Sequence, residues 1–277
     1  MLRLRVNGYD MAYIDIGSGE TLVCLHGSLG DFRTWSPVLG PLSREHRVIV
    51  PSLRGFFPAH WDGAGGGFTI AQHVADVIAF LEALGGPTGG PTGGKANLLG
   101  HSRGGHIAFR VAQQRPDLLR RVVLAEPGGD LDETLATEAA AGAPALRAHV
   151  AAAAERIAAG DIEGGVAAFV DAINGPGVWR SLPATARQPM RDNARTLLGQ
   201  VNEQRPAFTR ADAESIGVPA LFIGGEKTPG TLPSVLRALA AHVPGAKLEI
   251  IPRATHSMFE QDPVGFSRAV LDFLASA

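Results

Sequence analysis

The stretch Gly100-His101-Ser102-Arg103-Gly104 constrains this chain most, because of what flanks it. Residues 96–99 (ANLL) before it read as a short apolar strand. Residues 105–114 (GHIAFRVAQQ) after it read as a helix with Ile107, Ala108, Val111 and Ala112 on one face. Strand, sharp turn and helix are the context that makes G-x-S-x-G a nucleophile elbow, with the serine hydroxyl raised above a sheet. The flanking glycines permit the tight turn and close helix–strand packing. The helix start beneath Ser102 adds backbone N–H groups and a positive dipole end, which suit a developing oxyanion. The plainer reading, a glycine-rich turn with an incidental serine, does not explain this setting.

The rest of the chain keeps the same rhythm. Residues 2–6 and 11–16 alternate about Asn7-Gly8, a hairpin signal. Residues 21–25, 47–50, 121–125, 220–223 and 247–251 read as further strands. Residues 35–42, 70–84, 233–242 and 264–274 read as helices. Continuously apolar strands alternating with helices predict an α/β fold, a mostly parallel sheet covered on both faces. In such sheets sites gather at the carboxyl ends of the strands. Glycine-rich residues 63–67 and 85–94 read as loops.

The segment 128–210 breaks the rhythm. It is alanine-rich and helical at 145–159 and 162–173, with no clear strand. We expect a helical cap inserted into a core formed by residues 1–127 and 211–277. Trp179, Leu182 and Met190 are expected in its pocket or its own core.

Bulk properties exclude several classes. The 277 residues carry a formal net charge of -2 with the charges interspersed, which argues against a nucleic-acid or anionic-membrane partner. The one cysteine, Cys24, cannot form an intrachain disulfide and reads as a buried thiol. No signal-peptide pattern opens the chain and no stretch is apolar enough to span a bilayer, so a cytoplasmic setting is expected. No cofactor motif is present, and neither H-E-x-x-H nor a cysteine-rich framework suggests a metal. The expected partner is a small-molecule substrate, for a monomer or homodimer.

A serine hydroxyl needs a base. His149 and His242 fall on predicted helices and His46 precedes a strand, whereas His256 follows the last strand, at the carboxyl edge.

Leu25-His26-Gly27-Ser28, Leu53-Arg54-Gly55, the pentapeptide, Val218-Pro219-Ala220-Leu221-Phe222-Ile223 and His256…Asp262-Pro263 together resemble the α/β-hydrolase superfamily, in its capped branch with His-Gly-x after the third strand. The resemblance spans nearly the whole chain. It implies Ser102 as nucleophile and His256 as base, in the chain order Ser…acid…His. It also implies an oxyanion hole from the backbone N–H of Arg103 and of Ser28, or Leu29. One departure concerns the acid. Most relatives carry an Asp in a pattern like G-E-x-D, but here the segment reads Gly225-Glu226-Lys227-Thr228. A threonine cannot hold an imidazolium by charge.

Some lactonase and dehalogenase relatives place the acid after the strand that follows the elbow helix, which here delivers Glu126. A carboxylate at the end of a buried strand is costly unless paired, an independent reason to suspect Glu126. Glu226 and Asp130 remain alternatives, and an ion pair to Arg103 or Arg54 is the alternative use of Glu126.

The resemblance implies a hydrolase of small carboxylic esters or lactones working through an acyl-enzyme with a Ser-His-Glu triad. A C–C bond hydrolase, or a lyase or ligand-binding member with little turnover, is the competing expectation. A serine at the elbow argues against dehalogenase and epoxide-hydrolase chemistry, whose relatives carry Asp there. Leu29, Phe32, Arg54 and Trp179 are expected at the substrate. An apolar surround of Phe32 and Trp179 suits hydrophobic esters, whereas Arg54 or Arg180 turned inward suits an anion.

Overall fold

Strands too apolar to leave either face in water force a layered arrangement. The computed structural model describes residues 1–64, 67–85, 94–136 and 146–276. Its strands are β1 (Leu2–Val6), β2 (Tyr9–Ile16), β3 (Thr21–Leu25), β4 (Arg47–Pro51), β5 (Ala96–His101), β6 (Leu119–Ala125), β7 (Ala220–Gly225) and β8 (Lys247–Ile251). They form one eight-stranded sheet in the order β1-β2-β4-β3-β5-β6-β7-β8. β2 runs antiparallel to β1 and β4, and every other pair is parallel. The expected α/β architecture is therefore observed.

Period-2 alternation divides the core between the two faces. Val23, Leu25, Leu98, Val122, Leu124 and Phe222 belong to one apolar cluster. Leu22, Cys24, Leu99, Val123, Leu221 and Ile223 belong to the other. The first cluster is completed by α2 (Ile70–Gly85), α3 (Arg103–Gln114) and α10 (Leu232–His242), the second by α1 (Ser36–Ser43) and α12 (Pro263–Ala275). Cys24 is fully buried, and burial pushes its thiol pKa up.

Several boundaries differ from the expected ones for local reasons. The helix expected from Trp35 is preceded by a 3-10 turn over Phe32–Trp35, because Asp31 and Thr34 form a reciprocal capping box. The α-helix proper starts at Ser36, with a proline in its first turn where no donor is needed. The elbow helix begins at Arg103, two residues earlier than its apolar stripe suggests.

Between β6 and β7 lie α4 (Leu146–Ala158), α5 (Ile162–Asn174), α6 (Val178–Ser181), α7 (Ala184–Asp192), α8 (Thr196–Asn202) and α9 (Arg210–Glu214). Pro183 and Pro189 obscure the helical period there, so α6 to α8 are not evident from pattern. Helices α4 to α8 share an apolar cluster, including Val150, Ile157, Phe169, Val170, Trp179 and Leu197, which Leu29 and Leu232 also join. The two ends of the segment meet where Leu131 bridges Phe208. Most of the loop expected at 85–94 lies outside the described residues, as do 65–66 of the loop at 63–67. A short helix, α11 (Met258–Gln261), follows β8. Among the described residues, no helix is long and apolar enough to cross a membrane.

Candidate active site

The β5–α3 turn is built so that only glycine fits on either side of Ser102. A Cβ on Gly100 would lie 2.2 Å from the Gly104 carbonyl oxygen, and one on Gly104 would lie 2.4 Å from that of Leu25. Ser102 itself is held at φ 52, ψ -115, a region disfavoured for a residue with a Cβ. Backbone bonds hold the strained turn: the Ser102 N–H donates to Ala125 (2.9 Å), while its carbonyl accepts from His106 (3.0 Å) and Gly128 (2.9 Å). The serine is thus tied to the end of β6.

That end carries Glu126, fully buried and also at positive φ (41°). Its carboxylate is divided between two donors. Oε1 accepts the Gly225 N–H at 2.9 Å, and Oε2 lies 2.6 Å from His256 Nδ1. One side chain therefore joins β6, the end of β7 and the loop after β8. Neither ion pair considered for Glu126 forms, because Arg103 binds Glu203 and Arg54 binds Asp76. Glu226 is exposed and accepts the Arg253 N–H, away from His256. Thr228, in the usual position of the acid, is buried.

His101 steadies the histidine loop. Its Nε2 lies 3.0 Å from the His256 carbonyl oxygen, which can only accept, so Nε2 carries the proton. Burial, then the neighbouring His256, hold the His101 pKa well below the ordinary value, and the ring is neutral. His26 plays the matching part in the loop after β3. Its Nε2 accepts the Leu53 N–H (3.0 Å), so Nδ1 donates to the Gly27 carbonyl (2.9 Å). Burial brings its pKa down to about 4, so both bonds persist at neutral pH. Ser28 follows, with Oγ donating to Gln200 Oε1 at 2.7 Å, and then Leu29 at φ 61. Arg103 is the first residue of α3, where an amide has no acceptor within the helix.

Ser102 and His256 line a cavity of about 600 Å3. Phe169, Val170, Ile173, Pro189 and Met190 wall it from the helical segment, with Leu29 from the core. Ser102 also lines a cavity of about 40 Å3 with Ser28, Asp130, Arg147, Gln200 and Arg205. Asp130 thus faces the small cavity rather than His256.

Three residues expected at the substrate line neither cavity. Arg54 is drawn away by two bonds to Asp76 (2.7 and 2.9 Å) and lies over Tyr9. Phe32 packs on Phe57. Trp179 sits in the core of the helical segment, its indole N–H donating to Glu163 at 3.0 Å. Arg180 is exposed.

Glu260 on α11 was not anticipated, since one acid in Met258-Phe259-Glu260-Gln261 reads as surface. It lines the large cavity, and burial pushes its carboxyl pKa up to about 7. Such a group holds its proton more tightly folded than unfolded. Stability therefore falls as pH rises from the unfolded value, about 4.3, to the folded one. Glu260→Gln is expected to raise Tm at pH 8 by roughly 2–4 °C for each kcal/mol of this penalty that it removes, and little at pH 4.5. Scanning calorimetry at both pH values checks this, and equal shifts would exclude it.

A parallel sheet with one antiparallel edge, a serine elbow after β5 and a histidine after β8 define a known class. Residues 20–263 match the sequence profile of the alpha/beta hydrolase fold, and the chain belongs to that family. An uncharacterized protein of Mycobacterium tuberculosis is 28% identical over 288 residues, covering 97% of this chain and 79% of that one. The enol-lactonase from Burkholderia xenovorans LB400 superposes with a TM-score of 0.80 at 22% identity, covering 99% of this chain and 100% of that one. A thermophilic esterase from Thermogutta terrifontis gives 0.76 at 23% identity, covering 99% and 98%. These structural likenesses bear on fold alone.

Proposed function

We propose that this chain is a serine hydrolase of carboxylic esters or lactones, with Ser102, His256 and Glu126 as its triad. The observation that carries the reading is the Glu126 carboxylate, 2.6 Å from His256 Nδ1 and fixed by Gly225, beside a cavity shared by His256 and Ser102. His256 takes the Ser102 proton as Oγ attacks the carbonyl, and Glu126 stabilises the imidazolium. The amides of Arg103 and Ser28, or Leu29, receive the oxyanion, each donor worth about 2.7–4 kcal/mol. His256 then gives the proton to the leaving alcohol. Water, deprotonated by the same histidine, releases the acid. The helices between β6 and β7 serve as a cap, and the apolar walls of the large cavity suit a hydrophobic group on the substrate.

The test pairs turnover with covalent capture. p-Nitrophenyl esters from acetate to octanoate are expected to be hydrolysed. Ser102 Oγ is expected to attack the phosphorus of an alkyl fluorophosphonate and displace fluoride into solution, adding one phosphonyl mass to its peptide and none in Ser102→Ala protein. Neither turnover nor adduct would overturn the reading.

A further inference from the structure

We propose that Glu260 binds a cationic nitrogen on the substrate, so that the preferred substrates are esters or lactones carrying an ammonium group in the part that fills the large cavity. This rests on the hydrolase reading of Ser102. Arg33 is neutralised by Asp31 (2.7 Å) and Asp192 (2.9 Å). His256 is paired with Glu126, and His101 is neutral. Glu260 alone has no counter-charge: among the described residues its carboxyl makes no side-chain hydrogen bond or ion pair, and only burial perturbs it.

A lone carboxylate beside Phe259 and the apolar wall is poorly solvated, and an unpaired charge in such a setting is unfavourable. Neutral substrates leave it so, and anionic ones add repulsion. A cation supplies the missing partner, in surroundings where Coulomb attraction exceeds its value in water. The partial desolvation of Glu260 is already met in the free protein, so binding need not supply it again. The small cavity, about 40 Å3, cannot take a bulky cationic group, which directs that group to Glu260.

The test uses two acetates that differ by one atom, the 2-(trimethylammonio)ethyl ester and its neutral isostere, the 3,3-dimethylbutyl ester. At pH 8 the wild-type ratio of kcat/KM, cationic over neutral, is expected to be on the order of tenfold, as for one partly buried ion pair. In Glu260→Gln the ratio is expected near one, and any general loss of activity cancels in it. A wild-type ratio of one or below, or a ratio unchanged by the substitution, overturns the proposal. If neither ester is turned over, the p-nitrophenyl esters and the fluorophosphonate decide the hydrolase reading separately, and Glu260 is judged by binding. Calorimetry then compares the two parent alcohols. Tighter binding of the ammonium alcohol, lost in Glu260→Gln, supports the site, and equal or absent binding overturns it.

Discussion

Glu126→Gln is expected to lower kcat by about 10⁴, the scale seen when a triad carboxylate becomes an amide. Here the direction of the amide is determined. The Gly225 N–H points at Oε1 and requires an acceptor, so the new carbonyl oxygen must take that position. The new NH₂ then faces His256 Nδ1, which must accept where it formerly donated. The imidazole proton moves to Nε2, and the ring can no longer accept the proton of Ser102. Gln is isosteric, so KM and Tm should change much less than kcat. Glu226→Gln, on an exposed side chain bonded to the Arg253 amide, should leave kcat within about twofold, as surface changes usually do. Steady-state kinetics of both variants on one ester decide the matter. If Glu226→Gln is the damaging change, the triad reading of Glu126 is wrong.

Why the need of Glu126 for a partner is legible, and much else is not, follows from where information sits along the chain. The elbow is contiguous, and its glycines, strand and helix are all local. The parallel sheet was legible because apolar strands announce double burial. Glu126 stood out because a carboxylate ending such a strand needs a partner, although its partner His256 lies 130 residues away. Side-chain direction is not local information. Arg54 was expected to face substrate, but Asp76 of α2 binds it elsewhere. Trp179 joins the core of the helical segment, which depends on how α5, α6 and α7 stack across two prolines. Gln200 reaches Ser28 and Glu203 reaches Arg103 only once α8 has folded against the core. Glu260 needed the cavity itself to distinguish it from a surface acid.

Glu203→Ala is expected to destabilise the fold by about 3–5 kcal/mol, the cost of stranding one member of a buried ion pair. The Arg103 guanidinium is fully buried and binds both Glu203 oxygens, at 2.6 and 2.7 Å. Its remaining side-chain hydrogen bond, from Nη2 to His73 Nδ1 at 3.0 Å, offers a lone pair but no charge. Burial raises the Glu203 carboxyl pKa, but Arg103 and Arg205 more than reverse this and leave it below the usual glutamate range. A depressed carboxyl contributes stability above its unfolded pKa, about 4.3, and loses it as pH falls through the lower folded value. Denaturant melts should therefore show the full gap between wild type and variant at pH 7, narrowing below about pH 4. Replacing both partners, Arg103→Met with Glu203→Met, should recover part of the loss, because the fully buried guanidinium leaves with its partner, while Arg205, which also binds Glu203 at 2.6 Å, keeps a charge without that partner. The pair links the first residue of α3 to the residue that follows α8. Its rupture should loosen the turn that presents Ser102, and kcat should fall in the single variant beyond what its unfolded fraction explains.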